Sequence, residues 1–277
     1  MIAQAACHTA AAIPALAATP WRCAITLVGI VFFVGVAYLI AMTVPSIRQA
    51  IPVEWEHPIG LYGIILMLTG TGLGLIVSPE ERFMGDVGRI LHVHVPSAWV
   101  SMLCFLVAFV FALSFLFTAK RTWDSAMEAA CEVGTVLGML LLITGAIFSR
   151  PTFGVWWSWD PRLTTSAAMV MSFVAVLMLR GLVNDPDRRA TWSAIVTIMA
   201  AVNVPVTYMS VKWWRSLHQI QSETMGGSAI DPTMRWIMYF NSAALLFVAV
   251  WFIAQRWRLA EVRAEQEMPE PLPEVAL

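Results

Sequence analysis

Seven stretches of this chain carry no charged residue and are long and apolar enough to bridge a bilayer: Ala24–Val44, Ile59–Val77, Ser97–Ala119, Val133–Ser149, Leu163–Leu179, Ser193–Val211 and Trp236–Ala254. Runs of this kind constrain the fold more than any other feature. At 1.5 Å per helical residue each covers the hydrocarbon thickness or nearly so, and a backbone surrounded by lipid must satisfy its own hydrogen bonds. Helices do that within one segment, so the expected class is all-α: a polytopic integral membrane helix bundle with six core spans and an additional N-terminal span. With 59% hydrophobic and 13% charged residues in 277 and a mean hydropathy of +0.72, no soluble class fits.

The expected division is an N-terminal extension at 1–58 holding the additional helix, a six-span domain at 59–257, and a disordered tail at 258–277 that ends "EQEMPEPLPEVAL". The first run has a rival reading. The Ala-rich leader "AAIPALAATP" suits a signal peptide, but no Lys or Arg precedes Arg22 and the run is longer than a usual signal core.

Seven crossings sort the connecting segments into two sets by parity. Residues 1–23, 78–96, 150–162 and 212–235 fall on one side, and 45–58, 120–132, 180–192 and the tail on the other. The 17 Lys and Arg divide 8 to 9, which hardly orients the chain. The second set groups its charges just past helix ends, as Lys120-Arg121, Arg188-Arg189 and Arg256, Arg258, Arg263, so that side is expected to be cytoplasmic. The first set is then outward, and its arginines need another reason to be there.

Cys7, Cys23, Cys104 and Cys131 form no CxxC pair and read as small buried hydrophobes. The five histidines are scarcer chemistry. His92, His94 and His218 fall in outward segments: His94 before the proline that opens the third span, His218 just beyond the sixth. Each alone suits a wet, amphipathic boundary position. His92 and His94 also look like half a metal site, yet no third ligand stands at suitable spacing.

Tryptophan sharpens the picture. An interfacial aromatic belt accounts for Trp21, Trp123, Trp192 and Trp257. It accounts less well for "FGVWWSWDPRL", where Trp156, Trp157 and Trp159 share one outward loop, or for Trp213 and Trp214 in the next; these are five of 13 tryptophans in two loops. Two histidines able to meet, a broad indole surface and Arg150, Arg162 and Arg215 on the same side make a combination that suits haem. Its iron takes imidazole axially, its ring is a wide apolar plate, and its propionates suit guanidinium.

These residues also form a recognisable pattern. "GVWWSWDPRLT" resembles the tryptophan-rich WWD signature of haem-handling membrane proteins of cytochrome c biogenesis. "HVPSAW", the WWD segment, "VNVPV", "VKWWRSLHQ" and "SAIDPTMR", in that order, are similar to the haem exporter protein C family (CcmC) from about Ile59 to Trp257. The resemblance implies a multi-pass protein of the bacterial inner membrane with the WWD loop periplasmic and the C-terminus cytoplasmic. It implies haem b held non-covalently, with the iron between His94 and His218 and with Trp156, Trp157, Trp159, Asp160, Arg162, Trp213, Trp214 and Arg215 around it. His92 stands where the family pattern does not require histidine.

The implied activity is delivery and not bond-making by this chain, with no catalytic residues. Haem would pass to a periplasmic haem chaperone (CcmE-like), in company with a small single-span subunit (CcmD-like) and an ABC transporter pair (CcmA- and CcmB-like). A lipid bilayer is expected around the chain, and no nucleic-acid partner. Asp160 keeps three open readings: a fixed point of its loop paired with an arginine, a chaperone contact, or a hydrogen-bonding group behind a ligand. Asn203 and Pro205 are expected to kink the sixth span.

Two other classes are weighed against delivery. A proton-coupled transporter would place ionisable groups deep within spans, whereas Glu132 and Arg180 stand at cytoplasmic ends. A b-type cytochrome or quinol-linked electron carrier would use histidine pairs within spans to bridge the bilayer with two haems. One outward pair cannot.

Overall fold

The computed structural model describes residues 37, 56–81, 84–218 and 230–266. Residue 37 apart, the first apolar run lies outside the described residues, as do Cys7, His8, Trp21, Cys23 and residues 267–277. The order of elements is α1 (Glu56–Ile76), a 3-10 turn (Asp86–Ile90), α2 (Leu91–Thr118), α3 (Arg121–Phe153), α4 (Pro161–Leu182), α5 (Pro186–Ala201), α6 (Asn203–Trp213) and α7 (Pro232–Gln266). Among the described residues there is no strand, only an isolated bridge between Glu81 and Gly85.

Among the described residues, five helical stretches are long and apolar enough to cross a membrane, and the apolar part of α1, Gly60–Ile76, is a shorter sixth. The chain is an all-helical multi-pass membrane protein. Helices α5 and α6 form one crossing, Pro186–Trp213, tightened at Val202, whose N–H bonds Met199 O at 3.3 Å. Pro205 cannot donate, and Asn203 Nδ2 reaches Ser172 Oγ on α4 at 2.9 Å, so the irregularity sits where the sequence places it.

The helices outrun their apolar cores. Helix α3 starts at Arg121, so residues 121–132, expected as a loop, are helical. Their acids recur every fourth residue, and all three find cations. Arg180 holds Asp124 at 2.7 Å and Glu128 at 2.7 Å, while Glu132 pairs with Arg256. Helix α7 likewise continues past Trp257 to Gln266, so residues 258–266, expected in a disordered tail, are helical.

Two compact units make up the chain. The first takes in residues up to 96 together with 222–250, and the second 97–221 together with 251–277. In the first, α1 ends under Arg89, whose Nη1 donates to Leu75 O at 2.7 Å and caps a carbonyl the helix leaves open. In the second, Phe105 stacks on Phe173 with centroids 3.8 Å apart. Trp257 is buried there against Phe111 and Trp123, and its indole N–H donates to Glu261. It is a core residue, and the belt reading fails for it because α7 carries it inside. Cys104 and Cys131 are buried, as small hydrophobes should be.

Candidate functional site

The loop that carries the WWD tryptophans is set by its two ends. Helix α3 stops at Gly154, whose φ of 80° is a left-handed cap that glycine adopts at no steric cost. Gly154 N–H bonds Arg150 O, and the Arg150 guanidinium returns to Gly154 O, so this arginine ties down the start of the loop. At the other end Asp160 caps α4: its Oδ1 accepts from Arg162 N–H at 2.8 Å, with Pro161 in the first helical position, where a missing N–H costs nothing.

Asp160 does more than cap. Its Oδ1 also accepts from Ser216 Oγ at 2.9 Å and its Oδ2 from Leu217 N–H at 2.7 Å, so one carboxylate joins the loop before α4 to the loop after α6. Ser216 in turn accepts from His218 N–H at 3.1 Å. His218 Nδ1 lies 3.6 Å from Asp160 Oδ1, longer than a hydrogen bond but close enough for electrostatic coupling. Asp160 thus fixes its loop, as one of its three readings expects, but through neutral donors: among the described residues no arginine side chain pairs with it. The Arg162 guanidinium turns away to Thr207 O on α6, and Thr207 Oγ1 donates to Thr165 O, which fastens the start of α4 to α6.

The electrostatics follow from burial. Desolvation opposes charge on Asp160, yet donation from Leu217, Ser216 and Arg162, with His218 nearby, outweighs it and holds the carboxyl below its ordinary range. Burial pushes the His218 imidazole below its ordinary value; Asp160 pulls it upward and Arg162 pushes it down again. At neutral pH the ring is uncharged and has a lone pair to give. Nδ1 is the ring nitrogen nearer the carboxylate, so a proton there meets the Asp160 charge more favourably than one on Nε2.

Around this clasp the indoles remain uncovered. Trp156, Trp157, Trp159, Trp213 and Trp214 are exposed, Trp159 most at 83%. Trp157 meets Trp159 edge to face at 6.1 Å, and Trp213 meets Trp214 the same way at 5.9 Å. Arg215 is exposed.

His92 and His94, expected in a loop, are helical: α2 begins at Leu91, after the 3-10 turn, so both lie in its first two turns and Pro96 stands inside the helix and not at its start. His94 belongs to the first unit and is half-buried; His218 belongs to the second. His92 is buried with Nε2 2.9 Å from Ser78 Oγ. Sequence reasoning missed Ser216 and Leu217, which bind Asp160 through a hydroxyl and a backbone N–H. The first gives a weak signal and the second none.

The family described as "CcmC: Heme exporter protein C" matches residues 38–270. A Heme exporter protein C of Bradyrhizobium diazoefficiens is 34% identical over 183 residues, 65% of this chain and 70% of that protein. That of Paracoccus denitrificans is 30% identical over 200 residues, 71% and 83%. That of Escherichia coli K12 is 27% identical over 216 residues, 78% and 87%.

Proposed function

The chain belongs to the haem exporter protein C family, and from that premise we propose that it binds haem b non-covalently at the periplasmic face of the bacterial inner membrane and hands it to a periplasmic haem chaperone during c-type cytochrome maturation. In this reading it is a delivery component and not an enzyme. It works beside a small single-span subunit and an ABC transporter pair, with its C-terminus cytoplasmic.

The side chains suit such a ligand. Bound haem supplies an iron with two axial positions and a broad apolar ring edged by carboxylates. His94 and His218 are the proposed axial ligands, and His218 has the uncharged imidazole this needs. Trp156, Trp157, Trp159, Trp213 and Trp214 offer the apolar faces. Arg215 is the propionate partner favoured here, since Arg150 and Arg162 already serve backbone carbonyls.

The observation that carries the reading is the Asp160 clasp. A buried carboxylate joins the WWD loop to the histidine loop, with the His218 ring 3.6 Å from it and the indoles of both loops exposed. A belt of interfacial tryptophans has no use for that arrangement.

The test is haem content and absorption spectrum of the purified protein. His218→Ala and His94→Ala should each lose most of the low-spin haem and all chaperone loading. Wild-type low-spin content in both variants would defeat the proposal.

A further inference from the structure

The first unit holds a polar cluster of a kind that hydrocarbon makes expensive. His92 and Asn241 are each 2% exposed, on α2 and α7. Both press into notches that only glycine leaves on α1. A Cβ at position 70 would stand 1.9 Å from Asn241 Oδ1, and one at position 74 would stand 2.7 Å from the His92 ring. Asparagine within an apolar span calls for a reason.

The backbone supplies it. In a continuous helix the carbonyl of His92 accepts from the N–H four residues on, and that residue is Pro96, which has none. An orphaned carbonyl in a low-dielectric interior is costly, and neighbouring helices are where the replacement donor is found. Here Asn241 Nδ2 donates to His92 O at 3.0 Å. Asn241 Oδ1 and His92 Nδ1 have no hydrogen-bond partner among the described residues, so the cluster does not exist to satisfy its own side chains.

His94 lies between the open carbonyl and the proline. We propose that Asn241 is a positioning residue for His94: by standing in for the N–H that Pro96 lacks, it closes the turn from which the imidazole projects and fixes where that imidazole points. The inference rests on the reading of His94 as an iron ligand, and it concerns a residue that touches neither iron nor porphyrin.

A double-variant cycle on the full chain tests it, because Pro96→Ala gives the backbone its own donor back. Asn241→Ala should raise the haem dissociation constant about tenfold, because the turn that carries His94 must then be ordered at the expense of binding, and convert part of the haem to a high-spin form that added imidazole returns to low spin. Pro96→Ala alone should bind haem as wild type does. The double variant should regain the wild-type spectrum and affinity. If Asn241→Ala keeps wild-type affinity and spectrum, or the double variant is no better than the single one, the proposal is overturned. Should Asn241→Ala fail to accumulate, the double variant decides: low-spin haem at wild-type affinity supports the role, and failure to accumulate or high-spin haem removes it. His94→Ala is run beside them. If that variant keeps the low-spin spectrum, the ligand assignment is what fails, whereas a normal loss there with no repair by Pro96→Ala isolates the failure to Asn241.

Discussion

The second unit buries two acidic centres, and they are satisfied in opposite ways. Toward the start of α3, Asp124 takes both guanidinium nitrogens of Arg180, at 2.7 and 3.2 Å, and Glu128 takes one of them as well. At the start of α4, Asp160 takes two N–H groups and a hydroxyl but, among the described residues, no Lys or Arg, since the nearby Arg162 gives its guanidinium to α6. A carboxylate closed on arginine has spent its field on its own partner. One held by neutral donors keeps its charge and presents it to whatever stands next, here His218 at 3.6 Å. A third acid makes the contrast local: Asp185 precedes Pro186 and caps α5 through Arg188 N–H, the same two-residue motif, but it is exposed and accepts no second loop.

The contrast can be broken most forcefully at Arg180. Arg180→Met leaves Asp124 and Glu128 facing each other without a cation in a buried setting, and a loss of about 4 kcal/mol in unfolding free energy is expected. Haem binding per folded molecule should not change. Reversible unfolding in bicelles, read with haem titration, measures both; a fall in haem affinity that tracks the fall in stability would erase the distinction between the two centres.

Next in size is the pair of caps. Asp160→Ala removes the cap and leaves Leu217 N–H and Ser216 without their acceptor, which together should cost about 3 kcal/mol. Asp185→Ala removes only a cap and should cost about 1 kcal/mol. Equal costs would mean that Asp160 does no more than start a helix.

Much of the architecture is legible in the sequence because hydrocarbon selects for it: the last six apolar runs locate the six crossings that α1 to α7 make, and Asn203 with Pro205 marks the irregularity between α5 and α6. What the runs conceal is where helices end. Helix α3 includes Arg121 to Glu132 because Arg180 and Arg256, on other helices, neutralise its acids, and spacing along one segment does not announce partners on another. The same limit holds at the site. The Asp-Pro pair at 160–161 marks a helix start to anyone who asks, and the same dipeptide stands at 185–186 and 231–232, but only the fold brings Leu217 N–H to Asp160 across 57 positions of sequence. Asn241 is visible as a polar residue in an apolar run. Its meaning depends on Pro96, which no local pattern links to it.

The subtlest separation of the two centres is charge against shape at Asp160 itself. Asp160→Asn keeps an acceptor for Arg162 N–H, so α4 should still start at Pro161 and stability should fall by about 1 kcal/mol, from weakening of the bonds to Ser216 and Leu217. The negative charge behind His218 is gone, however, and a less electron-rich imidazole favours ferrous iron over ferric. With His218 as the proposed iron ligand, the potential of bound haem should therefore rise, on the order of tens of millivolts. Asp185→Asn serves as the control, since it neutralises a carboxylate in the same motif without an imidazole behind it, and should leave the potential where it is. A redox titration that finds no difference between Asp160→Asn and Asp185→Asn would place Asp160 with the structural acids and leave His218 without an electrostatic partner.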